Sequence, residues 1–214
     1  MARIDDYEQA LKIARNVLRE RDPVLLARYA GARILRDAPE GPTHLSLPFL
    51  NREVSISWPD LAFDPDRSGI ELSVQQQILL LHYLDGAWST SGAPVTGEWI
   101  AYQDVPDGKF YLDAFLRRAK NPLLQTFGSR PERMVEVATG AYDAGPLDHG
   151  DCSVVVKALP LVPVALILWK GDEEFPPEAN LLFDRNISGI LSAEDIAWLA
   201  GMVVYPLIGI AHSG

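Results

Sequence analysis

Strand-like and helix-like stretches come in blocks along this chain rather than in alternation. A parallel sheet needs a crossover between successive strands, so regular β-α-β order marks a doubly wound fold. Here the order is helices, short strands, a long helix, further helices, a second group of strands and a last helix. That order predicts an α+β fold: a mainly antiparallel sheet packed with helices, a buried central helix and a C-terminal helix. The 214 residues hold no internal repeat and no low-complexity tract, and read as a single domain over 1–214, with residues 1–31 as N-terminal helices.

Local patterns place the elements. Tyr7, Ala10, Leu11, Ala14, Val17 and Leu18 recur at helical spacing, with Lys12, Arg15 and Arg19 off that stripe. Asp22-Pro23 supplies a cap and a first-turn proline for a helix over 24–30, and Gly31 stops it. Short stretches at 32–35, 44–47 and 53–57, separated by Pro- and Gly-bearing turns, predict an antiparallel meander. Residues 72–84 return to helix, apolar nearly all round over 78–84, which marks a buried element. The stretch 86–97 is the longest irregular one, and serves either as a functional loop or as a tolerated insertion. A strand at 99–103 and helices at 112–120, 122–127 and 131–142 follow. Strands at 153–159 and 164–169, joined through Pro160 and Pro163, precede a short strand at 181–183. Ser192 and Asp195 form a capping box for the last helix, which Pro206 kinks or ends.

Charge narrows the partners. Nineteen Lys and Arg against 29 Asp and Glu give −10, and the longest basic block is Arg117-Arg118. Phosphate backbones are bound by clustered cations, so nucleic acid is not expected. The apolar runs 158–169 and 196–211 are shorter than the ~20 residues of a spanning helix and carry Pro or Gly. Both read as core, and with no signal-peptide pattern the expectation is a cytoplasmic protein without membrane contact. Cys152 is the only cysteine, which excludes an intrachain disulfide and a Cys-ligated cluster. Phosphate-loop, dinucleotide, nucleophile-elbow and zincin motifs are all missing, so no cofactor and no catalytic residue is assigned.

The densest polar feature is Lys170-Gly-Asp172-Glu173-Glu174-Phe175-Pro-Pro, at the end of an apolar strand. Its carboxylates can cap and turn the chain, or they can meet a hard cation, which takes oxygen ligands. Trp99 and Tyr102, beside the 86–97 loop, are candidates to line a pocket with them. His82 reads either as a core histidine or as a functional one. His149-Gly-Asp151-Cys152 gathers imidazole, carboxylate and thiol, but the acidic neighbours Asp148 and Asp151 disfavour a thiolate. Cys152 is therefore expected to be unreactive.

Several segments carry a family resemblance: Pro48-Phe-Leu-Asn-Arg-Glu-Val-Ser-Ile-Ser, Gln76-Gln-Ile-Leu-Leu-Leu-His-Tyr-Leu, and residues 110–127 with Arg117-Arg118 and Pro122-Leu. So do Gly150-Asp, Leu159-Pro-Leu-Val-Pro-Val, Leu168-Trp-Lys-Gly-Asp-Glu-Glu-Phe-Pro-Pro and Leu182-Phe-Asp184. From about residue 33 to 205 the chain resembles the prokaryotic family catalogued as a domain of unknown function, DUF3786. The resemblance implies an anaerobic setting near corrinoid or one-carbon metabolism, where some members carry an added Cys-rich iron–sulfur segment. This chain departs from those members, since Cys152 cannot hold a cluster alone.

Three functions remain in view. The first is a non-enzymatic binding or accessory module for an unidentified protein or small molecule, using Trp99, Tyr102, Asp172, Glu173, Glu174, Phe175 and His82. The second is a carboxylate- or metal-dependent hydrolase or transferase using Asp172, Glu173 or Asp184 with His82. The third is a homo-oligomeric structural module that self-associates through the C-terminal helix.

Overall fold

A computed structural model describes residues 4–36, 43–65 and 69–213. The fold is α+β with two antiparallel sheets, of three and five strands. The chain forms two compact units. The first holds Met1–Pro94 with Leu159–Leu161 and Gly189–Leu191, and the second holds Val95–Ala158, Val162–Ser188 and Ser192–Gly214.

The first unit begins with helices α1 (Ile4–Arg19) and α2 (Pro23–Ala30). Asp22 accepts from the amides of Val24 and Leu25 to start α2, and Gly31 ends it at φ +66°. A Cβ at Gly31 would strike Pro160, so glycine is needed there for space as well as for backbone hand. Strands β1 (Arg33–Arg36), β2 (Thr43–Phe49) and β3 (Arg52–Trp58) form the meander, in register Leu45↔Ile56 and Leu47↔Val54. Alternation buries Leu45, Leu47, Phe49, Val54 and Ile56.

Helix α3 (Val74–Ser89) opens with a reciprocal cap between Ser73 and Gln76. Ile78, Leu79, Leu80, Leu81, Tyr83 and Leu84 are buried, as an apolar circumference requires. Tyr83 fixes two passing backbones: its hydroxyl donates to the Ala30 carbonyl at 2.7 Å and accepts from the Leu161 amide at 3.3 Å. The helix does not stop at Gly86. A Cβ there would lie 1.9 Å from the Ile190 carbonyl oxygen, so this glycine permits close packing in mid-helix. The irregular stretch is correspondingly shorter than 86–97.

The second unit is built on a sheet of order β4-β8-β7-β6-β5. Its strands are β4 (Trp99–Ala101), β5 (Gly145–Pro146), β6 (Cys152–Leu159), β7 (Val162–Trp169) and β8 (Glu178–Asp184). Central β7 buries Val164 through Leu168 in succession, the mark of a strand covered on both faces. Pro163 lies inside β7, not in the turn, and β8 runs twice as far as residues 181–183. After a 3-10 turn (Tyr102–Asp104) come α4 (Gly108–Phe115), a π turn (Leu116–Lys120) and α5 (Asn121–Phe127), then α6 (Pro131–Tyr142). The short α7 (Ile187–Ile190) leads to α8 (Ala193–Ser213), which packs on α4, the π turn, α5 and α6.

By length and composition, α8 is long and apolar enough to cross a membrane, being 21 residues rather than the run of 196–211. Ile196, Leu199, Val203 and Leu207 are fully buried within the unit. Pro206 does not end α8. It lies inside the helix on its exposed face, although a proline removes one helical amide donor. At the start of α8, Asp195 accepts from the Ser192 hydroxyl while its own amide donates back to that oxygen.

Candidate functional site

The segment 170–177 connects β7 to β8, whose register closes at Trp169↔Glu178. One Asp172 oxygen accepts from the amides of Glu174 (2.8 Å) and Phe175 (2.7 Å), while the Asp172 amide donates to the Phe175 carbonyl. These amides, Phe175 first, hold the Asp172 carboxyl below its ordinary range. A Cβ at Gly171 would lie 2.7 Å from Pro177 Cδ, so the entry and exit of the turn nearly touch. Glu173 and Glu174 are exposed, and the Phe175 ring is 67% exposed.

A second carboxylate braces the strand end. Asp151 accepts from the Lys170 amide at 2.7 Å, and its own amide donates to Leu168. The Lys170 ammonium pairs with Glu132 at the start of α6, which raises the lysine pKa and lowers that of the glutamate. Nearby Cys152 is half-buried. Burial pushes its thiol pKa up, Glu132 and Asp151 add to the rise, and Lys170 opposes it. His149 belongs to the turn before β6, which Ser153 closes by donating to Leu147 and accepting from the His149 amide.

Asp184 is a different kind of carboxylate. Only 1% exposed, it accepts from the Thr96 amide and hydroxyl, the Gly97 amide at 2.6 Å and the Asn186 amide. Burial works to raise its pKa, but these donors together hold it below the ordinary value. Thr96 Oγ1 also accepts from the Glu98 amide, and Glu98 pairs with Arg185. The last part of the 86–97 stretch is therefore tied to the end of β8.

The aromatic candidates divide. Trp99 is half-buried at the start of β4, opposite Asp184. Tyr102 is core rather than pocket lining: it stacks on Phe115 with centroids 4.2 Å apart and donates to the Ala193 carbonyl at 2.7 Å. Burial pushes its pKa up to about 12, with the charge of Arg118 acting the other way. His82 stands in the first unit, half-buried in a groove between α1 and α3, rather than in the interior.

The candidate binding and acid–base residues thus have separate occupations. Asp172 holds a turn, Asp184 a loop and Tyr102 the core, while Glu173 and Glu174 face solvent. Among the described residues no three His, Cys, Asp or Glu side chains are grouped to hold a metal ion. The sequence marks Asp151 only as an acidic neighbour of Cys152, and does not single out Thr96. Their roles depend on partners 19 and 88 residues away, and no local pattern signals such bonds.

Comparison with known families decides the relationship. The chain matches the family described as "Domain of unknown function (DUF3786)" over residues 22–205. It belongs to the DUF3786 family. The match starts at Asp22, the cap of α2, so α1 lies outside the DUF3786 segment while both sheets and the 170–177 turn lie inside it. No curated protein and no solved structure gives a significant match.

Proposed function

We propose that this DUF3786 protein is a non-enzymatic binding or accessory module whose contact element is the 170–177 turn. The observation that carries the reading is the use of the carboxylates. Asp172 and Asp184 are bound to backbone amides, whereas an aromatic ring and two carboxylates face solvent on a braced backbone. An exposed aromatic on a backbone that is already ordered suits an interface anchor, because binding then costs little further conformational entropy. The complementary partner offers an apolar recess with a cationic rim.

The setting we propose is corrinoid or one-carbon metabolism in an anaerobe, on the strength of the family resemblance. The charge of −10 favours a protein or small-molecule partner over nucleic acid or an anionic membrane surface, and we place that encounter in the cytoplasm.

The test is capture from the native anaerobic host, read by native mass spectrometry and absorption spectra, with wild type beside Phe175→Ala. The variant should fold normally, with stability changed by about 1 kcal/mol or less. It should lose at least tenfold of whatever wild type retains. A rise in melting temperature with millimolar Mg²⁺ or Ca²⁺ that Glu173→Gln abolishes would overturn this reading in favour of a metal-dependent hydrolase or transferase.

A further inference from the structure

Helix α1 has two apolar faces. One is turned inward, with Leu18 fully buried and α1 packed on α3. The other is an outer stripe in which Ile13 is 57% exposed and Val17 41% exposed. With Ala10 and Ala14 these residues form one wall of a groove of about 340 Å³, and Leu81, His82 and Asp85 of α3 form the other.

The ends of this stripe carry opposite charges. Asp6 lies one turn before Ala10 and is exposed. Arg21 lies one turn beyond Val17, where its amide donates to the Leu18 carbonyl and prolongs the helical turn. The guanidinium of Arg21 belongs to a side chain that is 34% exposed. It stands 3.7 Å from Asp85 and 5.1 Å from the Trp88 ring centre, and neither its Nε nor Asp85 Oδ1 makes a hydrogen bond among the described residues.

An order of acid, small, apolar, small, apolar, base is complementary to itself when reversed. We propose that the outer stripe of α1 is a homodimer interface, in which two copies of α1 pair antiparallel about a two-fold axis between Ile13 and Ala14. In that pairing Ala10 faces Val17 of the second copy, each Ile13 enters the groove beside Ala14, and Asp6 reaches Arg21 across both ends. The alanines let the helices approach closely, and the end charges select the antiparallel sense over the parallel one, which would set like charges together. This surface is distinct from the 170–177 turn. It is also distinct from α8, the element that sequence reading favoured for self-association.

Two measurements test the interface. Sedimentation from about 1 µM to 1 mM should show a monomer–dimer equilibrium whose dissociation constant rises at least tenfold in Ile13→Asp. Asp6→Asn should raise it roughly two- to fivefold, as for an exposed ion pair. Far-UV circular dichroism should be unchanged, since both side chains lie at the surface. In a Cys152→Ser background, Ala10→Cys and Val17→Cys chains should form a disulfide with each other on mixing, faster than either forms one with itself. A monomer throughout that range, a dimer indifferent to Ile13→Asp, or cross-linking no faster than from Glu8→Cys on the opposite face would each overturn the proposal.

Discussion

Asp184 shows how one buried carboxylate can be given a structural task. A buried charge is costly unless every oxygen finds donors, and here four donors surround it, three of them backbone amides. An amide side chain of the same shape has one acceptor oxygen and would turn an NH₂ toward those donors. Asp184→Asn should therefore cost about 2–4 kcal/mol at pH 7, measured by urea denaturation. The sign with pH follows from a folded pKa below the unfolded value of about 3.9. Stability from this group is complete above that value and is lost as pH falls through the folded pKa. The gap between wild type and variant should narrow in acid. A gap that stays constant or widens would show that the carboxylate charge is not what holds the 96–98 backbone.

At the scale of elements, helix α3 draws its tolerance for close packing from one missing side chain. Gly86 lies so near the Ile190 backbone that a methyl group cannot fit without moving one of them. Gly86→Ala should lower stability by about 3 kcal/mol, at the upper end of overpacking costs, despite the better helix propensity of alanine. Gly140 is the control. It lies exposed in α6, and a methyl group added there would meet nothing within 4 Å, so Gly140→Ala should gain about 0.5–1 kcal/mol. Thermal denaturation of the two variants should move in opposite directions. Equal shifts would remove the packing explanation for a glycine in mid-helix.

At the scale of the whole molecule, connectivity matters more than unit size. The first unit takes in Leu159–Leu161 and Gly189–Leu191 from far along the chain, and Leu161 is bonded to Tyr83 there. A cut between residues 84 and 97 would separate the N-terminal part from segments that complete its core. We therefore expect one cooperative unfolding transition, and limited proteolysis in that stretch should yield no fragment that stays folded. Recovery of a stable N-terminal fragment with native circular dichroism would contradict this.

The elements that local chemistry controls were legible in the sequence. The Asp22 cap, the Gly31 stop, the three-strand meander, the buried circumference of α3 and the α+β order all follow from spacing, capping and turn chemistry over a few residues. The Asx turn at Asp172 belongs with them, because its partners are two and three residues away. Other features depended on neighbours that sequence distance hides. Phe175 is apolar yet exposed, Tyr102 carries a hydroxyl yet is core because the Ala193 carbonyl accepts from it, and Gly86 stands in mid-helix because the Ile190 backbone leaves no room for a Cβ there. The difference is one of range. Backbone preferences act within a turn or two of the chain, whereas burial and the pairing of buried polar groups are settled by atoms that only the tertiary fold brings together.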